Sequence, residues 1–188
     1  MEIWDIWFVV AALIVAGTAA VYDARTGHIP DLVSYVPLVL GPIAHALVAW
    51  KLTPNATFGL AAMEGGLSLA GILICAFMPV LMFRKNALGG GDVKVFAALG
   101  ALGQVSLGLE MELYAFVLAA VIAPARIAYD GNLKRTLRNS ATLFMNAFLP
   151  AERRKAIDAE SVTWFRLGPC IFLGVLLTAL LRYDEILK

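Results

Sequence analysis

Long apolar runs separated by polar links fill most of the 188-residue chain. A helix needs about 20 predominantly apolar residues to cross a bilayer, and each run is at or near that length. The pattern therefore predicts an all-α polytopic membrane protein with about six transmembrane helices. Their predicted ranges are Ile3–Tyr22, Leu32–Trp50, Phe58–Phe83, Val93–Leu109, Leu113–Tyr129 and Phe165–Leu181.

One long polar region, residues 130–163, separates the fifth run from the sixth. Within it, apolar residues recur at helical spacing from Leu133 to Phe148, while Lys134 and Arg138 lie off that stripe. Such a segment is typical of a helix that lies in the headgroup layer of a membrane. We predict an interfacial amphipathic helix that anchors this loop, and recruitment of a substrate or assembly partner is the alternative.

The composition is also that of a membrane protein. Hydrophobic residues make up 61% of the chain, charged residues 15%, and the mean hydropathy is +0.80, whereas soluble domains are about half apolar and a quarter charged. The length suits a single integral-membrane domain over residues 1–188, surrounded by membrane lipids. The net charge of +1 gives no reason to expect nucleic-acid binding.

Positive charge is distributed unevenly between the two ends of the predicted helices. Every Lys and Arg except Lys51, Arg182 and Lys188 falls in the links after the first, third and fifth runs or at the edges of the runs beside those links. The positive-inside rule makes that side cytoplasmic, so both termini and the link carrying Glu110 and Glu112 are predicted to face outward.

The chain offers few groups that could hold a metal or a cofactor. Its cysteines, Cys75 and Cys170, fall in separate apolar runs, which predicts buried thiols rather than a disulfide or metal site. His45 is predicted to be packed within the second run, and His28 to be solvated. The His-Glu-x-x-His pattern of zinc proteases and the Gly-x-Ser-x-Gly pattern of serine hydrolases are both absent. We predict no metal and no cofactor.

The candidate chemistry lies at a glycine triplet, Gly89-Gly90-Gly91, that precedes Asp92. Consecutive glycines disfavour a helix. An acidic residue at such a break, beside runs apolar enough to enter a membrane, is energetically costly and indicates a functional site. Asp23 ends the first run on the same predicted side, so both carboxylates are expected at the inner rim of the bilayer. Two carboxylates close together in a poorly hydrated setting share one proton, which suits peptide hydrolysis. The plainer interpretation is that both acids only cap helices.

Other assignments of these acids compete with hydrolysis. A small cation-coupled transporter would use Asp23, Glu64 and Asp92 at a broken helix, although the two aspartates are expected at the inner rim rather than the midplane. Glu64 lies in an apolar run, where a structural hydrogen bond is expected. Lys94 either biases which aspartate ionises or extends to the interface. A structural component of a secretion machine is the third class.

Several motifs together resemble the type IV prepilin peptidases, which are intramembrane aspartyl proteases of the GxGD type. The resemblance extends over essentially the whole chain and implies that Asp23 and Asp92 are the catalytic aspartates. It also implies that the partners are pilin-like precursors, which lose a short basic leader at the cytoplasmic face of a prokaryotic cytoplasmic membrane. The motifs are Tyr22-Asp23 with Ile29-Pro30-Asp31, Gly89-Gly90-Gly91-Asp92-Val93-Lys94 with Ala97-Ala98-Leu99-Gly100, and Gly168-Pro169 with Gly174.

The substrate is expected to bind beside the two aspartates. Glycines would let an extended peptide approach closely, and Asp31 would either cap the second helix or bind the basic leader. We therefore predict a substrate site made of Gly89, Gly90, Gly91, Lys94 and Asp31.

Longer members of this family carry paired Cys-x-x-Cys motifs in an N-terminal cytoplasmic segment and also methylate the new N-terminus. No Cys-x-x-Cys occurs in this chain, so methyl transfer is not expected. The resemblance is to the short, peptidase-only form found with tight-adherence (Flp-type) pili, and archaeal preflagellin peptidases are the alternative relatives.

Overall fold

The computed structural model describes residues 3–52, 56–129 and 166–182, and every regular element in these ranges is an α-helix. The all-α fold class is therefore confirmed for the described part of the chain. The loop 130–163 and its predicted amphipathic helix lie outside the described residues. The helices are α1 (Ile3–Thr26), α2 (Asp31–Leu52), α3 (Phe58–Arg84), α4 (Gly90–Tyr129) and α5 (Gly168–Leu181).

Four of these helices, α1 to α4, are long and apolar enough to cross a membrane. Large apolar side chains such as Leu73, Phe77 and Val121 are exposed on their surfaces, as is normal for a chain in contact with lipid rather than water. The described residues thus form a multi-pass membrane protein. Six spans were predicted; the fourth and fifth fall within the single helix α4, and α5 is only 14 residues long.

Helix α4 is broken at Gln104, whose backbone is left-handed, with φ 53° and ψ −157°. The chain reverses direction there. The reversal is evident from Phe96 and Phe116, which lie on either side of the break and stack with ring centroids 5.1 Å apart. In a continuous helix these two residues would be about 30 Å apart. The first arm of α4 (residues 90–103) and the second arm (from residue 105 onward) therefore form a helical hairpin.

The described chain divides into two compact units. The first unit contains residues 1–118 and 166–188, and it holds all the contacts discussed below. The second unit, residues 119–165, is described only for its helical residues 119–129.

Side chains from α2 and α3 satisfy backbone carbonyls that the break in α4 leaves free. The Ser68 hydroxyl donates to the Ala101 carbonyl at 2.6 Å, and His45 Nε2 donates to the Leu102 carbonyl at 3.0 Å. An unsatisfied backbone group at membrane depth is expensive, so these bonds explain why an interrupted helix is tolerated here.

Glu64 and His45 both have structural partners. The Gln104 side-chain amide donates to Glu64 Oε2 at 2.7 Å. His45 is 9% exposed and stacks on Phe8, with ring centroids 3.7 Å apart. The structural hydrogen bond expected of Glu64 and the packed position expected of His45 are confirmed.

Glu110 and Glu112 lie within the second arm of α4 rather than in an outer polar link, so that part of the prediction was wrong. Glu112 is 5% exposed, and Glu110 pairs with Arg182 at 2.6 Å. Two acids between apolar runs look like a surface turn in the sequence, whereas the chain turns at Gln104.

Helix α3 and the first arm of α4 pack with their backbones in contact. A Cβ added to Gly71 would overlap the Gly100 carbonyl, and one added to Gly100 would overlap the Gly71 carbonyl. Such an approach requires small residues at the crossing point. The packing fixes the arm that carries Asp92 against α3.

Candidate active site

An open cleft of about 210 Å³ lies where α1 ends and α4 begins. Both aspartates singled out in the sequence line it, together with all the residues predicted for substrate binding. Two motifs that are far apart in the chain therefore meet at one place. The lining residues are Asp23, Gly27, His28, Ile29, Asp31, Gly89, Gly90, Gly91, Asp92 and Lys94.

Asp23 lies in the last turns of α1 and is 8% exposed. The backbone N–H of Gly168, the first residue of α5, donates to Asp23 Oδ2 at 2.8 Å. Arg166 Nη1 donates to the Asp23 carbonyl at 2.8 Å and also to the Ala24 carbonyl. The start of α5 thus holds both the side chain and the backbone of Asp23.

Asp92 lies in the first turn of α4, which begins at Gly90, three residues earlier than the predicted start of the fourth span. Its carboxylate accepts a hydrogen bond from the Gly89 N–H, and the Val93 N–H donates to the Gly89 carbonyl at 3.4 Å. The side-chain bond caps the start of the helix, and the Val93 bond is the first of its i→i−4 backbone bonds. Capping leaves acceptor capacity on the carboxylate, so Asp92 can cap α4 and serve the cleft as well.

The two carboxylates line the same cleft, with Asp23 near the end of α1 and Asp92 in the first turn of α4. Asp23 is buried and Asp92 is partly buried, so both carboxylates are less accessible to solvent than acids on a surface. Two carboxyl groups in one cleft can divide the roles of proton donor and proton acceptor when one of them is protonated. The cleft can therefore present one proton donor and one proton acceptor to a bound molecule.

The link between α1 and α2 folds back onto the glycine triplet. Gly27 has φ 69°, a left-handed conformation that glycine adopts without strain. Ile29 is 5% exposed, and a Cβ added to Gly91 would lie 3.4 Å from the Ile29 Cβ. This contact brings the first motif against the second.

Asp31 and Lys94 form an ion pair at the cleft, with Lys94 Nζ 2.6 Å from Asp31 Oδ1. Lys94 Nζ also lies 5.1 Å from the centre of the Tyr35 ring. Both side chains are partly exposed, and an ion pair that is open to solvent contributes little to stability. Lys94 is therefore held at Asp31 by an ion pair that is weak enough for another cation to replace it.

Cys75 and Cys170 are free thiols, 0% and 1% exposed, which confirms their predicted burial. His28 is exposed, as predicted. Among the residues that the structure describes, no group of three or more His, Cys, Asp or Glu is arranged to hold a metal ion.

The sequence pattern did not reveal the contacts of Arg166 and Gly168 with Asp23. In the sequence, Arg166 was only one of the positive charges on the predicted cytoplasmic side. Gly168 was only part of a motif that resembles the prepilin peptidases. The available signal was Pro169, because proline near the start of a helix marks free N–H groups that attract an acid. Which acid they attract depends on tertiary packing.

Comparison with known proteins gives a consistent result. Residues 7–124 match the model of the type IV leader peptidase family. Leader peptidase HopD of Salmonella typhimurium (strain LT2) is 38% identical over 81 residues, which cover 43% of this chain and 49% of HopD. The chain thus matches about half the length of this relative. No solved structure matches the chain. Because the family match extends over more than half of the chain and includes both aspartates of the cleft, this protein belongs to the type IV leader peptidase family.

Proposed function

We propose that this protein is an intramembrane aspartyl endopeptidase that removes the short basic leader from type IV pilin-like precursors at the cytoplasmic face of the membrane. The observation that carries the proposal is that Asp23 and Asp92 line one cleft. Family membership supports the leader-peptidase activity, and the burial of Asp23 supports the aspartyl chemistry.

One carboxylate acts as general base and the other as general acid. The ionised member takes a proton from water as the water oxygen attacks the scissile carbonyl carbon. The protonated member gives its proton to the carbonyl oxygen, which yields a neutral gem-diol. The member that gained a proton then protonates the leaving nitrogen, the other takes a diol proton, and the C–N bond breaks. The pair ends with one proton, as it began.

The glycine triplet gives the peptide backbone access to the carboxylates. A Cβ on Gly89 would lie 3.1 Å from Asp92 Oδ2, so a side chain there would crowd the acid. A Cβ on Gly91 would contact Ile29 and fill space in the cleft. Without side chains, these residues leave room for an extended substrate to approach closely.

Asp31 receives the positive charge of the leader. Its side chain is 55% exposed and lines the same cleft as the catalytic pair. A basic leader residue would replace Lys94 as the partner of Asp31. Charge reversal by Asp31→Lys should raise KM for basic-leader substrates, and an unchanged KM would contradict this role.

The membrane arrangement follows from the same proposal. The two arms of α4 serve as the fourth and fifth crossings and α5 as the sixth, which places both termini outside. Residues 1–188 then act as one peptidase domain without methyl transfer, of the kind that serves tight-adherence pili. The antiparallel arms of α4, stacked at Phe96 and Phe116, support this count.

A cation-coupled transporter is the less favoured function. It needs Glu64 to act with Asp23 and Asp92, yet Glu64 does not line their cleft and is hydrogen-bonded to Gln104 at the far end of the first arm of α4. The acids therefore do not form one ion-binding site at a broken helix.

The test uses the purified full chain in detergent and a synthetic precursor with a basic leader. Mass analysis of the new N-terminus should show a single cut ahead of the hydrophobic segment, and both Asp23→Asn and Asp92→Asn should abolish it. Glu64→Gln is the matched control, because glutamine keeps a side-chain oxygen for Gln104 and should clip at the parent's rate. Clipping by either aspartate variant at the parent's rate would remove the proposed mechanism.

A further inference from the structure

We propose that Arg166 is a positioning residue for Asp23. It fixes the end of α1 so that the Asp23 carboxylate keeps the hydrogen bond from the Gly168 amide and stays aligned with Asp92. This inference rests on the proposed peptidase function, and it concerns a residue that does not line the cleft.

Arg166 binds the backbone at the point where Asp23 leaves it. A single nitrogen, Nη1, donates to the carbonyls of two consecutive residues, Asp23 and Ala24. The last carbonyls of a helix lack some of their intrahelical partners, and a cation near them is favourable. The guanidinium therefore closes the end of α1 from a different part of the chain.

The same short segment also holds the carboxylate. Gly168 follows Arg166 by two residues, and its N–H donates to Asp23 Oδ2 at 2.8 Å. Its backbone lies so close that an added Cβ would be 2.8 Å from the Asp23 Cβ. Movement of the Arg166 anchor would therefore move the amide that orients the carboxylate.

Catalysis is sensitive to displacements of this size. A misplacement of about 1 Å can lower a rate by about 100-fold, because proton transfer needs hydrogen-bond distance to the reacting atoms. Loss of the anchor should thus lower kcat more than it raises KM, since the glycines and Asp31 that meet the substrate are untouched.

Arg25 provides a matched control. It lies in the same last turn of α1, it is exposed, and within the described residues no hydrogen bond or ion pair is assigned to its side chain. Removal of its charge changes the electrostatics of the same region and leaves the Asp23 and Ala24 carbonyls bound.

The experiment compares Arg166→Ala and Arg25→Ala with the parent, using the purified full chain and the same synthetic precursor. We expect Arg166→Ala to lower kcat by about 10- to 100-fold with KM changed by less than about threefold. Guanidinium ion added at millimolar concentration should restore part of that kcat. Arg25→Ala should keep the parent's kcat and gain nothing from guanidinium.

The outcomes separate the two proposals. If the parent clips the precursor and Arg166→Ala clips it equally fast, the positioning role is overturned and the peptidase function stands. The positioning role would also be overturned if Arg166→Ala lost activity only because it unfolds at a lower temperature and guanidinium restored none of its kcat. If the parent itself does not clip, the proposed function fails, and the inference that rests on it fails too.

Discussion

Gly168 contacts Asp23 so closely that space alone restricts the residue at this position. A Cβ would lie 2.9 Å from Asp23 Oδ2 and 3.1 Å from the Ala20 Cα, and real Cβ atoms rarely come so near to backbone. We expect Gly168→Ala to displace the carboxylate and to lower the initial rate of precursor cleavage by about 10- to 100-fold.

Gly66 is the control for this substitution. It is also helical, and a Cβ added there meets nothing within 4 Å, while alanine favours a helix slightly over glycine. Gly66→Ala should cleave at the parent's rate. Equal rates for Gly66→Ala and Gly168→Ala would mean that the close contact does not position Asp23.

If Asp31 receives the basic leader as proposed, Lys94 competes with the substrate for Asp31. Because the exposed ion pair is weak, its removal by Lys94→Met should lower KM for a basic-leader precursor only modestly, by about two- to fivefold. The same variant should leave KM unchanged for a precursor whose leader is neutral. A fall in KM for both precursors would show that the effect does not involve Asp31.

At the scale of single elements, helix α4 separates what the pattern could predict from what it could not. The apolar run and the acid at its start were evident in the sequence, and the placement of Asp92 near Asp23 agrees with the shared cleft. The turn at Gln104 was not, because hydropathy stays high through it and Glu110 and Glu112 looked more like a link. The burial of Glu112 and the pairing of Glu110 with Arg182 depend on tertiary packing, which a one-dimensional pattern does not contain.

The crossing of α3 with the first arm of α4 makes a testable contribution to stability. A Cβ on Gly71 would overlap the Gly100 carbonyl and would lie 2.8 Å from the Gln104 carbonyl oxygen. Forcing an extra methyl into a packed interior typically costs about 1–3 kcal/mol. We therefore expect Gly71→Ala to lower the unfolding temperature in detergent by several degrees.

Gly59 offers a comparison on the same helix. Its added Cβ would meet only the Thr57 hydroxyl, at 3.8 Å. Gly59→Ala should therefore unfold at or slightly above the temperature of the parent. If Gly71→Ala and Gly59→Ala unfold together, the two helices do not pack as closely as the structure describes.

In the whole molecule, the first arm of α4 separates two polar sites. One end carries Asp92 in the cleft and the other carries Gln104 with its partner Glu64, about 20 Å away along the helix. Between them the arm is buried and apolar, with Val95, Phe96 and Leu99 at 0% exposure. This separation favours local chemistry at one membrane face over a path that crosses the bilayer.

The orientation of that face can be measured with cysteines, because the native thiols give little background. Cys75 and Cys170 are 0% and 1% exposed, so a membrane-impermeant maleimide should not react with the folded parent. Lys51 lies in the last turn of α2 and Lys85 follows α3, and both are exposed. If the positive-inside rule holds, intact spheroplasts should label Lys51→Cys, whereas Lys85→Cys should be labelled only after permeabilisation. The reverse pattern would put Asp23 and Asp92 at the outer face, where a leader that is still in the cytoplasm could not reach them.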